Sequence, residues 1–240
     1  MMTKRSSLLL LGVLVLLVGC KATTTGSTGP DAVYLAPEYP TLKLESLAYL
    51  GMAAVVQDLD ACSIADALMV SYLKGGQQKL LIVDESTTRS RAISEDVQEK
   101  MDSLIRGWKD EHTIDKVKMK ALGTKLGFDG FVFADLTQWR EETVDWTSEG
   151  NSFTEVGLSL AIYDAESGRL AWQGDKMERR ESMHYRHGQG VGSGVYAEGT
   201  AERTERADKI VPPPPPAKEV AESVVQNLLL GLPDRPSGKP

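Results

Sequence analysis

The stretch SFTEVGLSLAIYDAESGRLAWQGDKMERRE constrains the fold more than any other. Val156, Leu158, Leu160 and Ile162 recur at every second position, the period of an extended strand whose side chains alternate between two faces. AESG supplies turn residues, and RLAWQGDKMERRE returns as a second strand. Two such runs across a short turn predict an antiparallel hairpin. The second half of the chain is thereby committed to a sheet.

The first half reads as strands alternating with helices. SLAYLGMAAVV is a continuous apolar run, as expected for a strand covered on both faces. A helix follows, with Ile64, Leu68 and Tyr72 sharing a face with Ala61 and Ala65. Ser63 with Asp66 has the form of a capping box, and Gly75-Gly76 marks the helix end. KLLIVD predicts a short buried strand. Ser94 is placed to cap a second helix whose apolar face is Val97, Met101, Leu104, Ile105 and Trp108. A third helix is predicted from about Ile114 to Leu126, stopped by Gly127. FDGFVFADLTQW is again strand-like. AKEVAESVVQNLLLGLP closes the pattern as a helix with Val220, Val224 and Leu228 on one face, flanked by Ala221, Val225 and Leu229. Early alternation and late consecutive strands predict an α/β (α+β) fold. Its mixed sheet would have about five strands ending in an antiparallel meander, covered by about four helices.

A chain of 240 residues with 41% hydrophobic and 25% charged residues suits one globular core. Residues 42–233 are read as that single domain. Residues 20–41 form a tether, because KATTTGSTGP cannot bury enough apolar surface to offset its ordering entropy. DAVYLAPEYPTLK is extended by its X-Pro steps. A Gly/Pro-rich loop spans about 182–216, longer than loops inside compact domains usually are. Residues 234–240 are read as a disordered tail.

Residues 1–19 have the layout of a signal peptide. Lys4 and Arg5 form a positive n-region, and Leu8–Val18 form an apolar run of eleven residues. That run is too short to span a membrane, which takes about 20 apolar residues. Leu17-Val18-Gly19-Cys20 resembles the lipobox of bacterial lipoproteins. The resemblance implies cleavage before Cys20, with Leu17, Val18 and Gly19 recognised by the signal peptidase, and acylation of Cys20 (palmitate and related chains). It also implies sorting to the outer membrane, because Lys21 rather than Asp follows the cysteine. The remaining thiol, Cys62, lies in an amphipathic helical pattern and reads as a small core residue.

The body resembles a group of periplasmic lipoproteins: the curli-secretion-channel type (CsgG-like) and the penicillin-binding-protein activators (LpoB-like). The N-terminal domain of the Tol translocation protein shares their fold. The resemblance rests on ALMVSYLKGGQQKLLIVDES, ALGTKLGFDGFVFADLT and LAIYDAESGRLAWQG in that order. Where that group closes its first strand with Pro-Phe, this chain has AAVVQDL. No stretch alternates in the manner of barrel-spanning segments of about ten residues, so the non-pore members are the nearer analogy.

Motifs for chemistry are sparse. His184 and His187 are spaced H-x-x-H, which on a helix puts both rings on one face. No cluster of Cys, Asp or Glu completes a metal set beside them, and His112 is distant in sequence. They are the weak metal candidates of the chain, and a polar strand end or loop is the plainer reading. Gly190, Gly192 and Gly194 repeat every second residue, unlike a dinucleotide loop. Pro212–Pro216 favour polyproline II, read as a stiff spacer into the last helix. Glu141 and Glu142, flanked by Trp139 and Trp146, are read as a solvated hairpin loop rather than an acid–base pair. No catalytic residue and no cofactor are expected, and the formal charge of -7 disfavours nucleic acid. The expected protein is a non-enzymatic, lipid-anchored outer-membrane module facing the periplasm. It would bind another envelope protein in envelope biogenesis. The alternative is a homo-oligomeric subunit of a curli-channel-like secretion or assembly complex.

Overall fold

The computed structural model describes residues 28–56, 58–75, 80–144, 151–182 and 213–236. Its strands are β1 (Ala32–Leu35), β2 (Ser46–Ala54), β3 (Leu81–Val83), β4 (Gly130–Glu142), β5 (Phe153–Asp164) and β6 (Leu170–Glu181). Its helices are α1 (Leu59–Lys74), α2 (Glu85–Ser94), α3 (Gln98–Glu111), α4 (Lys116–Leu126) and α5 (Ala217–Leu230). The strands form one mixed sheet in the order β1-β6-β5-β4-β2-β3. β2 runs parallel to β3 and β4, while β4, β5, β6 and β1 pair antiparallel. The parallel first half and the C-terminal meander are as the sequence predicts, with six strands for about five and five helices for about four.

Helices cover both faces. α1 and α5 pack on one, where Met69, Leu73, Val220, Val224 and Leu228 meet Tyr49, Leu136, Leu158 and Trp172. α2–α4 pack on the other, where Met101, Leu104, Trp108, Met119 and Leu122 meet Leu50, Phe131 and Phe133. Burying each large aliphatic or aromatic side chain contributes about 1.5–3 kcal/mol, so the two clusters anchor the layers. Gly174 permits close approach beneath α5. A Cβ there would stand 2.6 Å from the Trp172 ring and 3.3 Å from Leu228 Cδ1.

Several local expectations are corrected. α1 is capped by Asp58, whose carboxylate accepts from Ala61 N at 2.9 Å, and not by Ser63. Asp66, read as half of a capping box, instead accepts a 2.5 Å bond from the Tyr49 hydroxyl. The buried stripe of α1 is Ala61, Ala65, Met69 and Leu73, while Ile64 is exposed. Ser94 is the last residue of α2 rather than a cap, and α3 begins behind Val97 without a side-chain cap. α2 itself has only Thr88 and Ala92 buried, so no apolar stripe announces it. β3 is an edge strand with Leu81 exposed, because α1 covers only one of its faces.

The boundaries at 41 and 234 also shift. Residues 32–35, assigned to the tether, form β1, which is held by ladder bonds to β6 that supply what its exposed side chains do not. Tyr39 is buried and donates to the Asp234 carbonyl at 3.0 Å, tying both ends of the described chain to the core. Of the loop at 182–216, residues 183–212 lie outside the described residues.

Candidate functional site

Cys20, Leu17, Val18, Gly19, His184, His187 and Trp146 lie outside the described residues. Glu141 and Glu142 are described, and they sit at the end of β4 rather than in a loop. Glu141 Oε1 accepts from Ala217 N at 3.0 Å, capping the start of α5, and Glu142 pairs with Arg140. Successive strand residues point to opposite faces, so the two carboxylates do not converge. Trp139 packs against the core. Cys62 is half-buried, and burial pushes its thiol up, with Asp66 adding to the effect. A thiol held protonated is a poor nucleophile.

The polar group that sequence reasoning missed is Asp135, in the middle of β4. Its side chain is 14% exposed, and Oδ1 has no hydrogen-bond partner among the described residues. His112 Nδ1 stands 3.6 Å away. Desolvation pushes the Asp135 carboxyl up to about 6, against the pull of His112 and aided by Asp175. His112 terminates α3 in the left-handed region, at φ 50°, and its N–H donates to Trp108 O at 3.0 Å. A non-glycine residue there stores strain. The ring packs edge-on against Trp108, with centroids 5.4 Å apart. The helix end, its cap and the indole thus aim one imidazole at one buried carboxylate. The two residues are 23 positions apart on different elements, and no periodicity links them.

Strand register extends this site sideways. Asp135 pairs with Ser159, Ser159 with Asp175, and Asp175 with Ala32, so two carboxylates and a hydroxyl lie in one row across β4, β5 and β6. The next row is Phe133, Ala161, Gln173 and Tyr34. Phe133 packs on Trp108, which places both rows on the α2–α4 face. The described helices on that face lie over β2 and β4. On the β5-β6-β1 half of that face Ser159 and Ala161 are buried, while Met177 is 56% and Tyr34 47% exposed.

No protein-family model matches the chain, and no curated protein matches it. Solved structures do. Lipoprotein GNA1162 from Neisseria meningitidis is 14% identical with a TM-score of 0.41, over 57% of this chain and 83% of that one. The PelC dodecamer from Paraburkholderia phytofirmans is 13% identical with a TM-score of 0.43, over 84% and 97%. The LpoB C-terminal domain from Salmonella enterica is 9% identical with a TM-score of 0.35, over 57% and 84%. At these identities and scores the likenesses carry no argument about activity, partner or assembly.

Other polar clusters are structural. A cleft of about 710 Å³ is lined by Lys43, Lys120, Phe128, Asp129, Asp164 and Arg169, among others. Asp129 Oδ2 accepts from Glu45 N and Ser46 N, both at 3.1 Å, and Asp164 Oδ2 accepts from Ser167 N at 2.7 Å, so both carboxylates hold turns. Among the described residues no group of three or more His, Cys, Asp or Glu could hold a metal ion. No described helix is long and apolar enough to cross a membrane.

Proposed function

We propose that the chain is a periplasm-facing lipoprotein of the outer membrane, held through acylated Cys20, whose domain is a non-enzymatic protein-binding module in envelope biogenesis. The observation that carries this reading is the order of a positive n-region, an eleven-residue apolar run and Leu17-Val18-Gly19-Cys20. Several acyl chains on one residue give stable anchoring at about 0.8 kcal/mol per buried methylene. Binding rather than catalysis is supported by how the domain uses its carboxylates: Asp58 and Asp84 cap helices, Glu141 meets the start of α5, and Asp129 and Asp164 fix turns. It is further supported by Val33, Tyr34 and Leu35, which β1 exposes next to the tether.

Two measurements test the proposal. Cys20→Ser should abolish labelling by a radioactive fatty acid and release the protein from outer-membrane fractions. Retained label removes the anchor from the reading. Photo-crosslinkers at Val33 and Leu35 in living cells should capture a discrete envelope protein, and no adduct at either position counts against a binding role for that edge.

A further inference from the structure

β1 (AVYL) is an edge strand without the devices that usually blunt an edge. It has no charge, no proline and no bulge between Ala32 and Leu35. Val33, Tyr34 and Leu35 are 55%, 47% and 48% exposed. Just past the strand, Ala36 N donates to Ala171 O at 2.9 Å. Backbone groups of an antiparallel strand alternate in direction, so Ala32 and Tyr34 also turn toward β6, while Val33 and Leu35 turn their N–H and C=O outward. Among the described residues none bonds to those outward groups. The described residues that flank 183–212 stand at the opposite end of β6 from β1, where Ser182 N donates to Ser152 O and Thr154 Oγ1 donates to Pro215 O.

Apolar side chains collar this edge on both faces. Val33 and Leu35 share the α5 face with Gly174 and Trp172. Leu230, 66% exposed, lies one turn beyond Asn227, whose Oδ1 accepts from Gly29 N at 3.4 Å, so it stands on the β1 side of α5. Tyr34 and Met177 lie on the other face. Pro30 and Pro37 have no N–H, so no ladder runs past either end. The nearest charges are already paired, Asp31 with Lys176 at 2.8 Å and Glu38 with Arg169 at 3.7 Å. The counterpart of this edge must be extended, short, uncharged and apolar on both faces. AVYL is itself such a segment.

We propose that β1 of one copy pairs antiparallel with β1 of a second copy about a twofold axis at Tyr34, joining two sheets into one. Each Val33 then lies opposite the partner's Leu35, and each such pair exchanges the N–H···O bonds that β1 leaves unmade. Tyr34 lies opposite the partner's Tyr34 at a non-hydrogen-bonded site, with Cα atoms about 4.5 Å apart, where aromatic rings pack across the strands. The axis is normal to the sheet, so both copies keep their helices on the same faces. The contact is isologous and closes at a dimer. This rests on the protein-binding reading above and names one occupant of the edge it exposes.

The test uses the full chain in detergent micelles. Sedimentation of the wild type with its thiols kept reduced should show a monomer–dimer equilibrium in the micromolar range. Val33→Lys and Leu35→Glu should each weaken it at least about ten-fold, by setting a charge against an apolar partner. The double variant V33K/L35E sets opposite charges face to face in both pairs and should recover most of the loss. Circular dichroism identifies any variant that merely unfolds, and recovery in the double variant separates pairing from a folding defect. Register is read by disulfide trapping on a chain carrying Cys20→Ser and Cys62→Ser. Added to it, Tyr34→Cys should give a covalent dimer, whereas Val33→Cys should not, because the two copies of that position lie about 7–8 Å apart. A wild-type monomer throughout the range, a double variant no better than its parents, or trapping through position 33 rather than 34 each overturns self-pairing. A monomeric purified chain whose crosslinkers at Val33 and Leu35 capture a different protein in cells overturns self-pairing and leaves the binding-module reading standing, so the two failures are told apart.

Discussion

Asp135→Asn should stabilise the protein at neutral pH and remove one component of its pH dependence. The carboxyl titrates near 6 in the folded chain because burial penalises its charge, while an unfolded aspartate titrates at about 3.9. The folded state therefore holds its proton more tightly. The stability contributed by that proton is fully present below about pH 4, declines as pH rises, and is lost above about 6. A displacement of about two units corresponds to at most about 3 kcal/mol, and solvent reaching the 14% exposed side chain reduces this to roughly 2 kcal/mol. Asparagine keeps the shape and cannot ionise. Urea denaturation followed by tryptophan fluorescence at several pH values between 4 and 8 reads the effect as the difference between variant and wild type, so carboxylates common to both cancel. The difference should be near zero at pH 4 and should rise in favour of the variant by about 2 kcal/mol above pH 6.5, with unchanged m-value. A difference flat across the range refutes the buried-carboxyl account. A difference favouring the wild type at pH 7 shows instead that attraction to His112 outweighs desolvation.

Gly174→Val places a branched side chain against the Trp172 ring and Leu228, and should cost roughly 1–3 kcal/mol by overpacking, read as a lower denaturation midpoint. Asp84→Ala should cost about 1 kcal/mol at neutral pH, because Asp84 caps α2 through Thr87 N at 3.2 Å. Burial alone would raise the Asp84 carboxyl, yet bonds from Ser86 and Thr87 and the charge of Lys74 bring it down to about 2. The contribution is present above about pH 4 and is lost as pH falls through about 2, so the gap between variant and wild type should narrow over that interval. A gap constant with pH contradicts the capping role.

Elements with a dense apolar period were legible in the chain. The β5–β6 hairpin, the face of α3 and the face of α5 stand where their patterns put them. α2 was not legible, because ESTTRSRAIS buries only Thr88 and Ala92 and is fixed by the Asp84 cap and its neighbours. α1 was legible as a helix and in part of its face: the sequence sets Ile64, Leu68 and Tyr72 beside Ala61 and Ala65, and the structure buries Ala61 and Ala65 with Met69 and Leu73, leaves Leu68 and Tyr72 half-buried against the core and exposes Ile64. β1 escaped notice because its four residues are exposed and its stability comes from ladder bonds to β6.

Sequence alone determined the features that depend on local period or linear order. These are the mixed α/β sheet with its late meander and the helices with strong apolar stripes. Only tertiary structure decided what depends on residues meeting from afar. Antiparallel register brought Asp135, Ser159 and Asp175 into one row, and the left-handed end of α3 aimed His112 at it. Period and caps act within about one turn or strand, so a string of residues carries them directly. Burial of a single carboxylate is set by which elements cover it, and that is fixed only when the layers close.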